Sequence, residues 1–235
     1  MTKEFFKVTP IEEVFNLFGD FKHMGTESVA LGDSWNRILA QDVMAPMDMP
    51  GFVRSTMDGY AVKAASTFGA SESNPAYLEI AGGIEMGARP EMTIESGQAA
   101  RIATGGMLPE GSDAVVMVEH TAEIGDNGLE VYRSVAPGSN VIARDEDFES
   151  GRKALSAGTI IRPAEMGLLA AMGHDAVTVF KKPRVAIIST GDELVDITAP
   201  VPYGKIRDVN THSLAGSVLV AGGSQIGRAS CRERV

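Results

Sequence analysis

Between the basic stop Lys181-Lys182-Pro183 and the polar stretch Thr190-Gly191-Asp192-Glu193 runs Arg184-Val185-Ala186-Ile187-Ile188-Ser189, apolar at nearly every inner position. A strand with one face to water alternates apolar and polar residues, whereas a near-continuous apolar run is the pattern of a parallel strand covered on both faces. A helix follows at about Thr211–Ala221, with Asn210 placed to cap it. This order opens a βα unit, the first layer of a doubly wound α/β domain. One strand and one helix cannot bury a parallel sheet. Residues 182–225 are therefore expected to be the truncated start of such a domain, with Val185–Ile188 lacking partner strands, and the chain to be the amino-terminal part of a longer α/β multidomain protein.

The segments before this run follow other patterns. Thr9 is placed to cap a helix with Pro10 in its first turn. Glu12 and Glu13 suit the positive end of its dipole, and Ile11, Val14, Phe15 and Phe18 recur at helical spacing. A short strand near Ser28–Leu31 and a helical turn near Ser34–Ala40 come next. Pro46 and Pro50 mark an extended crossing into a β-rich stretch over 52–140. Strands are expected at Tyr77–Ala81, Ala99–Ile102, Ala114–Val118 and Leu129–Tyr132, separated by turn chemistry such as Asp126-Asn127-Gly128 and Pro137-Gly138-Ser139-Asn140. Residues 141–181 return to a mixed pattern. It comprises a strand at Gly158–Ile161, a helix opened by Pro163 and ended by Gly173, and a strand at Ala176–Phe180.

Charge and cysteine content narrow the function classes. A formal charge of −10 disfavours a nucleic-acid partner, which needs a basic face. The single cysteine, Cys231, allows neither an intrachain disulfide nor a thiolate zinc site. No run of about 18 apolar residues predicts a membrane span, and the start lacks a secretory pattern, so the cytoplasm is the expected location. The final ten residues, Ile226–Val235, hold Cys231 and three arginines in an otherwise acidic chain. Codons ATC GGA AGA GCG TCG TGT AGG GAA AGA GTG, one frame of a common sequencing adapter, encode all ten. Residues 226–235 are therefore expected to be non-native; setting aside their three Arg and one Glu takes the charge from −10 to −12.

Four polar clusters border apolar strands, where loops on a rigid scaffold carry sites. They are Ser55-Thr56-Met57-Asp58-Gly59-Tyr60-Ala61-Val62, Arg101-Ile102-Ala103-Thr104-Gly105-Gly106, Arg144-Asp145-Glu146-Asp147 and Ser189-Thr190-Gly191-Asp192-Glu193. Each alone also fits a plain structural role: a turn, a loose connection, a solvated charged face or a helix cap. No phosphate-binding loop of the Gly-x-x-x-x-Gly-Lys-Ser/Thr or Gly-x-Gly-x-x-Gly type occurs, and the four histidines are scattered. The residues by themselves reach only acidic loops able to hold a hard cation.

Taken in order, these clusters are more specific. Phe52–Val62, Arg101–Gly111 with Asp113-Ala114-Val115-Val116, Arg144–Asp147, and Ser189–Leu194 followed by Gly204-Lys205-Ile206-Arg207-Asp208-Val209-Asn210 resemble the molybdopterin molybdenumtransferase family (MoeA and the gephyrin E-domain). The resemblance spans nearly all of 10–225. It implies an elongated discontinuous domain from 1–50 and 141–181, a β-rich domain 51–140 inserted in it, and a molybdopterin-binding-like α/β domain starting near Pro183. It further implies a homodimer with a cleft shared between two chains, and the insertion of molybdate into adenylated molybdopterin with release of AMP. A fragment ending this early is expected to be inactive.

The family's site positions fall on Asp58, Thr104 and Asp147 as catalytic residues and on Glu193 as a ligand for Mg²⁺. Ser189, Thr190, Gly191, Asp208 and Asn210 fall at phosphate- and substrate-binding positions. Asp58 and Asp147 are placed to share a proton. The sequence departs from relatives at Gly106-Met107-Leu108 and at Asp145. The same fold also serves as a non-enzymatic scaffold or cofactor-binding module, but the acidic and threonine positions favour the transferase.

Overall fold

The computed structural model describes residues 9–22 and 24–231. His23, the side chains of Phe18, Asp20 and 228–231 (Cys231 among them), and residues 232–235 lie outside the described set. The first helix, α1 (Ile11–Asn16), begins one residue later than expected. Pro10, extended at ψ 145°, occupies the cap position, and no side chain caps this end. Its apolar stripe is not core, since Ile11 and Phe15 are more than half exposed. Strand β1 (Thr26–Ala30) follows. The helical turn expected near 34–40 falls earlier, as a 3₁₀ turn at Leu31–Asp33 followed by a turn in which the Arg37 N–H donates to Ser34 O. Ile38 and Leu39 bridge Ile160 and Val179 instead, with the Leu39 N–H donating to Thr159 O at 2.9 Å. Backbone partners more than a hundred residues away hold Ile38 and Leu39 in these bridges, and local propensity does not encode them.

The remaining elements, in chain order, are β2 (Val43–Met44), β3 (Arg54–Ser55), β4 (Gly59–Val62), β5 (Ala76–Gly83), β6 (Gln98–Ile102), β7 (Ala114–Met117), β8 (Thr121–Ile124), β9 (Gly128–Val131), β10 (Val141–Ile142) and β11 (Lys153–Leu155). Then come α2 (Pro163–Ala171), β12 (Ala176–Phe180), β13 (Arg184–Thr190), β14 (Leu194–Val195), β15 (Ile206–Arg207), α3 (Asn210–Val220) and β16 (Ser224–Cys231). They pack as two units. One is 43–154; the other comprises the described residues of 1–42 and 155–235.

The unit 43–154 is built on a six-stranded sheet in the order β7-β4-β6-β5-β9-β8, antiparallel except between β5 and β6. Strand β4 lies within a cluster that sequence pattern marks as a polar loop, yet all four of its residues are buried. Its alternate side chains enter two clusters. Tyr60 and Val62 join Leu78, Val116, Leu129 and Val131 on one face, and Ala61 joins Ile102, Leu108 and Val115 on the other. Burying a Val or Leu side chain contributes about 1.5–3 kcal/mol, so this double-sided core anchors the unit. The edge strands β7 and β8 are consecutive in the chain, joined by a 3₁₀ turn at Val118–His120, so the sheet curls back on itself.

In the other unit, β1 pairs antiparallel with β12, Thr26 opposite Phe180. Helix α2 starts at Pro163 as expected. The buried Glu165 accepts the Arg162 backbone N–H at 2.9 Å and two guanidinium bonds, and this ion pair holds its carboxyl at about 2. Gly173, at φ +80°, follows the helix in the left-handed conformation that glycine favours. Two expectations for the Arg184–Ser189 run are corrected. Strand β13 has a parallel partner, β16, paired from Arg184↔Ser224 to Thr190↔Cys231 with a one-residue bulge at Ile226, which takes in residues 227–231 of the basic tail. It is also not covered on both faces, because Ile187 and Ser189 are buried while Ile188 is 62% exposed. With α3 between the two strands, β13–α3–β16 is one parallel βαβ unit.

Candidate functional site

Three of the four sequence clusters meet through the backbone of Arg54–Thr56. Strand β3 pairs with β10 on one side (Ser55↔Val141). On the other, the Ser55 N–H donates to Gly106 O at 2.9 Å and the Gly105 N–H to Ser55 O at 2.8 Å. The Thr56 N–H adds a bond to Asn140 O at 3.0 Å. The short β3 thus lies between the Thr104 loop and the segment leading to Asp147.

Beyond β3, Asp58 and Thr104 are in direct contact. Asp58 Oδ1 accepts both the Thr104 backbone N–H, at 2.7 Å, and its hydroxyl, at 2.9 Å. These bonds favour the ionised form and hold the carboxyl below its ordinary range. Both residues are exposed. Among the described residues Asp58 Oδ2 takes no hydrogen bond. Glycine is required on both sides of the pair. A Cβ at Gly59 would lie 1.9 Å from Val116 O, and Gly105 holds φ at +84°. Beside the pair lies a groove of about 370 Å³ lined by Asp58, Tyr60, Ile84, Arg101, Ala103 and Val118, among others.

Asp147 is exposed and held by its backbone, with its N–H donating to Met49 O at 2.9 Å. No hydrogen bond joins it to Asp58 among the described residues. The hydrogen bonds that the Asp58 side chain makes are those with Thr104. Arg144 does not pair with the acids that follow it; its guanidinium bonds Asp48, through Nε at 2.8 Å. Asp48 also accepts the Ser150 N–H, and these contacts lower its pKa.

The fourth cluster lies in the other unit. Ser189 and Asp208 are brought together, but with each other. The buried Ser189 hydroxyl contacts Asp208 Oδ1 at 3.1 Å and the Thr211 hydroxyl at 2.6 Å. Asp208 accepts the Thr211 N–H at 3.0 Å, and the Thr211 bonds lower its pKa. The start of α3 is therefore capped by Asp208 rather than by Asn210, which is the first helical residue and exposed. Thr190 is exposed at the end of β13. Glu193 is exposed with its carboxylate over Gly191, where a Cβ would meet Oε2 at 2.5 Å. Among the described residues no group of three His, Cys, Asp or Glu could hold a metal ion. Nor is any helix long and apolar enough to cross a membrane.

Two participants escaped sequence reasoning: Glu123, which bonds both Tyr60 and Arg101 beside the groove, and Asp48. Neither lies in a motif, and each acts across 22 or more positions of sequence.

The family described as "MoeA N-terminal region (domain I and II)" matches residues 9–173, which contain the Asp58–Thr104 pair and Asp147. The chain belongs to the MoeA family. The molybdopterin molybdenumtransferase of Bacillus subtilis is 39% identical over 221 residues, covering 92% of this chain and 51% of that protein. The Nostoc enzyme of the same name is 38% identical over 214 residues, covering 91% and 49%. A crystal structure of a molybdopterin biosynthesis MoeA protein from Pyrococcus horikoshii superposes with a TM-score of 0.86 at 35% identity, over 97% of this chain and 61% of that one. The chain thus spans about half the length of the curated MoeA relatives it matches.

Proposed function

We propose that this chain supplies part of the active site of a transferase in molybdenum cofactor biosynthesis, which inserts molybdate into adenylated molybdopterin with release of AMP. The observation that carries this reading is the Asp58–Thr104 pair. It is an ionised carboxylate with one oxygen held and one uncommitted, on a groove wall, within the region matched to the MoeA family. An oxyanion losing an oxygen needs that oxygen protonated. Asp58 Oδ2 is suited to accept a hydrogen bond from a protonated substrate oxygen or from a water, and Thr104 fixes the direction in which it does so. Asp147, exposed and tethered only by backbone, would orient substrate from the neighbouring loop.

The metal implied by the family is Mg²⁺. Glu193 offers it an exposed carboxylate, and the described residues hold no group of three His, Cys, Asp or Glu able to bind a metal ion. Mg²⁺ binds through one or two carboxylates and keeps phosphate and water oxygens, so Glu193 fits as a partial site completed by substrate phosphates. Bound there, the ion would neutralise charge on the phosphate link to AMP. Thr190 and Gly191 stand beside it for phosphate contact, and Asn210 projects from the start of α3, where helix N–H groups favour anions. Ser189 and Asp208 support this loop from beneath through Thr211. We further propose a cytoplasmic homodimer with a cleft built from both subunits. The test is molybdate-dependent AMP release by the full-length protein. AMP release independent of molybdate, or no effect of Asp58→Asn, would remove the proposal.

A further inference from the structure

The two site loops leave strands whose next inward residues are themselves tied together. Tyr60, two positions after Asp58, lies opposite Arg101, three positions before Thr104, in the antiparallel register of β4 and β6. Glu123 of β8 joins them. It accepts the Tyr60 hydroxyl and receives Arg101 in a bidentate pair, Nε to Oε1 and a terminal nitrogen to Oε2, both at 2.8 Å. In the strand order β8 is three places from β6 and four from β4. In a flat sheet those separations are about 14 and 19 Å, beyond the reach of a glutamate. The contact exists because the sheet curls, and it closes that curl where the two loops emerge. A bidentate arginine–carboxylate pair fixes direction as well as distance.

We infer that Glu123 is a positioning residue for the Asp58–Thr104 pair, holding β4 and β6 in the relation that lets Thr104 donate twice to Asp58. Glu123 lines no part of the groove, and it and Arg101 are each 47% exposed at the side chain, so its loss removes an orientation rather than a packed core. The role rests on the proposed reading of Asp58 and Thr104 as site residues. Its test needs no turnover, so failure of the reaction and failure of the clamp are separable.

The experiment follows the Asp58 carboxyl by ¹³C chemical shift against pH, together with hydrogen exchange at the Thr104 amide, in this chain. In Glu123→Ala the Asp58 titration moves up toward the ordinary 3.8, and Thr104 exchanges about tenfold faster. Glu123→Gln, which keeps one acceptor oxygen but replaces the other with a donor and loses the charge, falls between. Tyr60→Phe, which removes one hydroxyl and keeps the buried ring, shifts both readouts the same way and decides the matter if the Glu123 variants fail to fold. Glu130→Gln disturbs another glutamate–tyrosine bond on the same sheet, to Tyr132, and leaves both readouts unchanged. Wild-type titration and exchange in the folded clamp variants, or an equal shift in Glu130→Gln, would overturn the inference.

Discussion

Gly59→Ala tests whether the site loop depends on close approach of two strands. The added Cβ would lie 1.9 Å from Val116 O, 2.9 Å from Val116 C and 3.1 Å from Met117 Cα, all backbone atoms of β7. No rotamer change relieves such a contact. To restore an ordinary separation, β4 and β7 must part locally by about 1.5 Å. That displacement strains the Tyr60↔Val116 and Gly59↔Met117 register and weakens about two ladder hydrogen bonds, at roughly 1 kcal/mol each. Overpacking in the flanking core adds about 1–3 kcal/mol, for a total of roughly 3–5 kcal/mol. At about 2–4 °C per kcal/mol for a chain of this size, the melting temperature falls by roughly 10 °C. Thermal unfolding followed by near-ultraviolet circular dichroism measures it. Gly83→Ala is the control, because its Cβ would meet nothing closer than 3.7 Å and should change stability by no more than about 1 kcal/mol. A Gly59→Ala protein melting within about 2 °C of wild type would refute the close-approach argument.

Other outcomes are expected. In the full-length protein Asp58→Asn lowers AMP release by roughly 10²-fold or more, while Thr104→Ser, which retains both donors, stays near wild type; steady-state assays at matched molybdate distinguish them. Glu123 and Glu165 ionise at about 2 in the folded chain against an ordinary 4.5, so their contribution to stability is present above about pH 4.5 and disappears as the pH falls through about 2. Urea unfolding across pH should therefore show Glu165→Gln less stable than wild type at neutral pH and converging with it near pH 2; a constant gap would contradict the ion-pair origin. Glu193→Gln in the full-length protein weakens Mg²⁺ dependence and leaves the melting temperature nearly unchanged, since the side chain is exposed. Mixing Asp58→Asn subunits with Glu193→Gln subunits restores part of the activity, because one cleft of such a dimer carries both wild-type residues; mixtures as inactive as the parents after confirmed exchange would place the cleft within one chain.

By itself the sequence determined what local chemistry controls. Pro163 and Gly173 bracket α2 because one suits a first turn and the other supplies a positive φ. Alternation and turn residues marked β5, β6, β7 and β9, and the ordered clusters around Asp58, Thr104 and Asp147 pointed to the MoeA family. Tertiary structure decided the rest. Residues 38–40 are drawn into bridges because their backbone partners are Thr159, Thr178 and Phe180. Strand β4 is core, although it begins in a polar motif, because neighbours cover both its faces. Asp208 rather than Asn210 caps α3 because the chain reaches that helix already turned toward Thr211. The lowered pKa of Asp58 comes from a loop 46 residues away, and Glu123 meets Arg101 only because the sheet curls. Propensity and periodicity are set by neighbours along the chain, whereas hydrogen-bond partners, burial and pKa are set by neighbours in space, which the chain acquires only on folding.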